Sequence, residues 1–233
     1  MEIAAPHLET SALQRRKQGL LYNRVLYFLV SLEMLVALIW TSFSLHYTKE
    51  LAQNISQWWE FGVTAAVLVG LLVLITFFVP YTRSLPINWV LYFVFMFCFA
   101  HLICFINILD KSRMLYLVLW ILTLVIHGFC IYYLCADDYI PVIESFCISF
   151  GLATAVLMAY IILTEHKLYL LILVAIGSAT VGFYYAYGLR TATRFSVFDY
   201  SEEDPVSGAI RFWLDGALVS CRFFENVGKA FRT

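Results

Sequence analysis

The chain has 233 residues, of which 62% are hydrophobic, 18% aromatic and 13% charged, with a formal net charge of -1. Soluble domains carry about one-quarter charged residues, so this composition excludes a soluble globular fold, and the near-neutral charge offers nucleic acid no electrostatic footing. Spans of about 20 apolar residues joined by short loops account for almost the whole length.

In chain order, residues 1–24 read as a polar cytoplasmic segment, with Arg15, Arg16, Lys17 and Arg24 directly before the first apolar run. No small-residue cleavage site follows, so that run is expected to be an uncleaved signal anchor. Apolar runs follow at Val25–His46, Phe61–Val79, Ile87–Ile108, Met114–Leu134, Val142–Leu163 and Leu168–Gly188, with a seventh at Pro205–Val227. No stretch alternates with the period of two that a membrane barrel needs, and helices are the other way to satisfy backbone groups in lipid. The expected fold is all-α: a polytopic bundle of about seven transmembrane helices over 25–228, followed by a tail at 229–233.

Loop charges set the orientation. A cytoplasmic N-terminus puts Arg15, Arg16, Lys17, Arg24, Arg83, Arg190 and Arg194 inside, against Lys49, Lys111, Arg113 and Lys167 outside, which obeys the positive-inside rule. A full seventh crossing would place Arg222, Lys229 and Arg232 outside, whereas a re-entrant last helix would keep them inside; the sequence allows both. Trp58, Trp59 and Trp89 fit interfacial belts, and Asn54-Ile55-Ser56 is a glycosylation sequon on the expected luminal side. The six cysteines show no C-x-x-C spacing and are read as small apolar residues, with no disulfide or metal expected.

Ionisable groups at bilayer depth cost a few kcal/mol each and are functional candidates by default. They are Glu33 in the first span, His101 in the third, His127 in the fourth, and Arg211 with Asp215 in the seventh. Each histidine is expected to make one interhelical hydrogen bond. Glu33 is expected to be either neutral or paired with a basic side chain from another helix. Arg211 and Asp215 are four apart and share a helical face, which suits either mutual neutralisation or an ion or proton site. Asp204 before Pro205 reads as an N-cap followed by proline in the first helical position.

The closing stretch GAIRFWLDGALVSCRFFENVG resembles the last helix of the transmembrane Bax-inhibitor-motif proteins, the Bax-inhibitor and lifeguard group, through Gly208, Ala209, Leu214 and Asp215. Arg24 and Tyr27, with Glu33 after them, are similar to that family's R-x-x-Y first-helix pattern, and Arg83, Pro86 and Asn88 in RSLPIN to its R-x-x-P-x-N. The resemblance implies seven helices with a central last helix, residence in endoplasmic reticulum or Golgi membranes, a pH-sensitive calcium leak and dampening of cell death. It also implies a pair of aspartates, on helices six and seven; here the sixth-helix position falls at about Gly188 and the usual asparagine after G-A-L is Arg211. A lone Asp215 beside Arg211 is expected to hold calcium weakly, so leak is expected to be weakened, with calcium entering as a transported ion and no cofactor required.

Size and divergence also resemble the seven-span proteins that cytomegaloviruses carry, which implies the alternative of a non-conducting adaptor that redirects host surface proteins for immune evasion. Partners are then the bilayer and other membrane proteins, such as death regulators or host surface proteins, and not nucleic acid. Small residues Gly151, Ala153 and Ala155 on the fifth span would suit such contacts. Receptor and intramembrane-enzyme readings lack their marks: there is no Asp-Arg-Tyr, N-P-x-x-Y, G-x-G-D or G-x-S-x-G.

Overall fold

The computed structural model describes residues 5–46, 58–82, 84–110, 114–136, 138, 140–163, 168–195, 204–210 and 212–213. Among them there are helices and no strands: α1 (Ala5–His46), α2 (Trp58–Phe77), α3 (Val79–Thr82), α4 (Ile87–Leu109), α5 (Met114–Cys135), α6 (Val142–Leu163) and α7 (Leu168–Phe195). A last helical segment, α8, covers 205–210 and 212–213. Five helices are long and apolar enough to cross a membrane: Gly19–His46 of α1, Trp58–Ile75 of α2, α4, α5 and Val142–Ile162 of α6. The described apolar part of α7 is shorter, Leu171–Phe183. The chain is an all-α, multi-pass membrane protein.

Two boundaries differ from the sequence reading. The first helix begins at Ala5, twenty residues before the expected span, because LETSALQRRKQ is made of good helix formers and contains no proline or glycine. The second span stops at Phe77 and restarts as the single turn of α3, since Pro80 has no N–H to donate and its ring crowds the carbonyl four residues back, which interrupts the helix before it.

α1 is the organising element. Leu26, Val30, Met34 and Ala37, spaced as one helical stripe, are all at most 1% exposed. α1 lies against both α4 and α5, α6 and α7 pair with each other and with α5, and α2 leans on α4. The outward faces are apolar: Val63, Val67 and Val73 of α2 and Val90, Phe93 and Phe97 of α4 are all exposed. Such surfaces belong against lipid tails.

Close approach in this bundle falls on glycines other than the one expected. A Cβ at Gly128 of α5 would stand 2.6 Å from Leu152 Cδ1 and 2.9 Å from Ile148 Cγ2 of α6, and one at Gly182 of α7 would stand 2.8 Å from Val125 Cγ1 of α5. Gly151 has nothing within 4 Å of that position and is exposed together with Ala155, whereas Ala153 is buried. The small-residue face thus splits between lipid and core.

Candidate functional site

The motif stretches identified in the sequence converge at the end of the bundle where α1 passes Gly19. Arg24 reaches across to the last turn of α5: its Nε donates to the Tyr133 carbonyl and its Nη2 to the Ala136 carbonyl, both at 2.8 Å. A cation there satisfies carbonyls that have no intrahelical partner and faces the negative end of the helix dipole. One turn on, Tyr27 stacks on Tyr133, ring centroids 4.9 Å apart, and meets Phe212 edge-on at 6.4 Å. The R-x-x-Y pair therefore clamps α1 to α5.

The R-x-x-P-x-N stretch meets the start of α8. Asn88 Nδ2 donates to Asp204 Oδ1 at 3.4 Å, linking α4 to a residue 116 positions away. Asp204 caps α8 as expected: its Oδ1 accepts from the backbone N–H of Val206 at 3.2 Å and of Ser207 at 3.4 Å, and its Oδ2 accepts from the Ser207 hydroxyl. Pro205 occupies the first helical position. Gly208 follows against the Tyr22 side chain; a Cβ would collide with the Tyr22 hydroxyl oxygen and stand 3.2 Å from its Cζ. Ala209 is fully buried. Val206, Ser207, Gly208, Ile210 and Phe212 are buried too, while Pro205 and Trp213 are half-buried, so the described part of α8 packs largely inside the bundle.

Deeper in the membrane lies Glu33, at the middle of the 28-residue apolar stretch Gly19–His46 and 0% exposed. Trp213 Nε1 donates to its Oε2 at 2.8 Å, and its Oε1 has no hydrogen-bond partner among the described residues. Trp213 is held in turn by Phe99 of α4, stacked at 5.0 Å, and by Phe212 edge-on at 5.2 Å. Nearby, Tyr92 Oη donates to the Leu29 carbonyl at 2.9 Å. Of the two expectations for Glu33, the basic partner is not found among the described residues; a neutral indole N–H takes its place. An ionised carboxylate at this depth costs several kcal/mol, of which one such hydrogen bond offsets about 1.5–3.

The two histidines stand apart from this seam. His101 Nε2 lies 4.0 Å from Glu60 Oε2 across the α2–α4 contact, each side chain about one-quarter exposed. His127 makes its bond within its own helix, Nδ1–H to the Thr123 carbonyl at 2.7 Å, which corrects the expected interhelical bond. The carbonyl one turn back is the acceptor within reach of a side chain in mid-helix, and Thr123 does the same with its hydroxyl, donating to Leu119 O at 2.6 Å.

Gly188 falls within α7, whose sequence carries no aspartate or glutamate from Leu168 to Phe195. Arg211, Leu214, Asp215, Arg83 and the sequon residue Asn54 lie outside the described residues. Among the described residues no group of three or more His, Cys, Asp or Glu side chains gathers around a metal position. Sequence reasoning did not single out Trp213, Tyr22 or the buried polar positions Asn23, Thr41 and Ser44 of α1. Plotting the polar residues of the first span on a helical wheel would have grouped the last three.

No protein-family profile matches the chain, and neither does any curated protein or solved structure.

Proposed function

We propose that this chain is a divergent membrane protein of the Bax-inhibitor-motif type, acting in endoplasmic reticulum or Golgi membranes on cell death and calcium homeostasis, with its calcium leak weakened. The observation that carries this reading is the meeting of the motif stretches in space. Arg24 and Tyr27 grip the end of α5, Asn88 grips the cap of α8, and Gly208 admits Tyr22 against that helix. That residues resembling one family pattern along the sequence tie α1 to α5, α4 to α8 and α1 to α8 supports this reading.

The weakened leak rests on the missing carboxylate. Two carboxylates in low dielectric can share a proton or attract a divalent cation, because both cannot ionise comfortably together. α7 supplies none. In liposomes loaded with a calcium dye, wild-type protein is expected to pass calcium little faster than protein-free vesicles. The double substitution Gly188→Asp with Arg211→Asn is expected to raise the flux several-fold. Wild-type flux equal to that of a dyad-containing relative would refute the weakened leak.

A second reading, a non-conducting adaptor for other membrane proteins, is favoured by the sparse packing of α2, of which only Leu68, Leu71 and Ile75 are buried among the described apolar side chains. Capture of a stable membrane partner in mild detergent, lost when Val63 and Val67 are replaced by bulky tryptophans, would support it.

A further inference from the structure

α1, α2 and α4 together line a groove of about 480 Å³, a volume that suits one small ligand. Val36 and Trp40 come from α1, Thr64 from α2, and Phe97, Ala100 and His101 from α4. Ala100 is 2% exposed and its single methyl group leaves depth between the helices, whereas Phe97 is 63% exposed, so the groove opens toward lipid.

The two ends of the groove differ chemically. Val36 and Trp40, like Phe97 and His101, are four residues apart, so the groove follows the helices for about one turn, or about 6 Å. Its polar end lies toward the start of α2. There Glu60, one turn before Thr64, brings its Oε2 to 4.0 Å from His101 Nε2. At the other end Val36 and Phe97 offer apolar surface alone. Trp58 marks the outer limit: it is 69% exposed and meets Phe105, one turn beyond His101, edge-on at 5.6 Å. Indole rings favour the membrane interface, so the polar end sits about one turn inside it and the apolar end points toward the middle of the bilayer. An amphipathic lipid lies in a leaflet in that same direction.

The polar end selects the lipid. An imidazole N–H gives one donor and a carboxylate only acceptors, and 4.0 Å is too wide for them to bond directly. A hydroxyl oxygen about 2.8 Å from each atom spans that gap with an angle of about 90° at oxygen, accepting from His101 and donating to Glu60. A phospholipid fails here, because its phosphate would face the Glu60 carboxylate. Diacylglycerol adds two ester carbonyls, acceptors for which the pair has no second donor. A sterol carries one hydroxyl on a rigid fused-ring body, which loses little conformational entropy when it docks.

We infer that this groove is a sterol site, with the sterol hydroxyl bridging His101 Nε2 and Glu60 Oε2 and the rings lying along Trp40, Phe97 and Val36. The inference stands on these atoms and does not require the family reading.

The test is photolabelling of the purified full chain in phosphatidylcholine vesicles by a 3β-hydroxysterol that carries a ring diazirine, followed by peptide mapping. Label is expected on peptides holding Thr64 or Phe97 to His101, and excess unlabelled 3β-sterol is expected to reduce it several-fold. The 3-methyl ether, which cannot donate, and diacylglycerol are expected to leave it within twofold. Thr64→Phe, which fills the groove, and His101→Leu, which removes the donor, are each expected to lower labelling several-fold; Val36→Phe carries the test if either does not elute as a single species. Ile131→Phe is the control, since Ile131 lies on α5 and is 62% exposed away from the groove. Label spread over all outward faces without competition, or well-folded Thr64→Phe labelled as wild type, would overturn the site. Competition by diacylglycerol equal to that by sterol, or His101→Leu labelled as wild type, would overturn the assignment of a sterol held by its hydroxyl. Calcium flux in liposomes does not enter this test, so the calcium reading can fail while the sterol site stands.

Discussion

Arg24 shows how one side chain in this protein does two things at once: it leaves the polar segment before the first span and closes a distant helix. Its two bonds to the end of α5 are charge-assisted and partly buried, so Arg24→Gln is expected to cost about 2–4 kcal/mol. The check is a fall in thermal unfolding midpoint of the detergent-solubilised protein. Gly208 is a second single-residue lock. Gly208→Ala should destabilise by about 1–3 kcal/mol through overpacking on Tyr22, and adding Tyr22→Phe, which removes the colliding oxygen, should recover part of the loss. At this scale the sequence was informative about roles that depend on neighbours in the chain. Asp204 and Pro205 announced a helix start because capping is local. The partner of Glu33 was hidden, because a tryptophan 180 positions away declares nothing about which carboxylate it will meet.

Among elements, the tightest helix contacts are made where a hydrogen replaces a side chain. Gly128 and Gly182 let α6 and α7 approach α5, and membrane helices depend on such approaches because lipid gives them no hydrophobic reason to associate. Gly128→Val and Gly182→Val are expected to destabilise by about 1–3 kcal/mol each, read as earlier thermal aggregation. Gly151→Ala and Gly177→Ala, with nothing within 4 Å, should be neutral or slightly stabilising by a few tenths of a kcal/mol. The sequence marked the glycines but not which of them face a neighbour. An apolar helix in lipid shows little contrast between its inner and outer faces, so the periodicity that orients a soluble helix is weak here. The early start of α1 was missed for the opposite reason: polar helix formers carry no apolar signal to extend the span.

For the molecule as a whole, span positions were legible because apolar length alone encodes them, and the all-α, multi-pass architecture follows from the same cue. Loop charge predicts a cytoplasmic N-terminus, so that a tag placed there on microsomal protein is expected to be digested by added protease without permeabilisation. Protection of that tag would reverse the orientation. How α1 comes to lie against both α4 and α5 was not legible, since no local pattern reports which spans will be neighbours.

The 180-residue separation between Glu33 and Trp213 also sets an order in time. At about 5–20 residues per second, the ribosome delivers the indole some 9–36 seconds after the acid has been made. During that interval the first span must partition into the bilayer on the strength of its apolar residues, aromatic ones such as Phe28, Trp40 and Phe43 included, while Glu33 lacks its indole partner. Nascent chains truncated before Trp213 should therefore be the species that quality-control proteases and intramembrane chaperones recognise first.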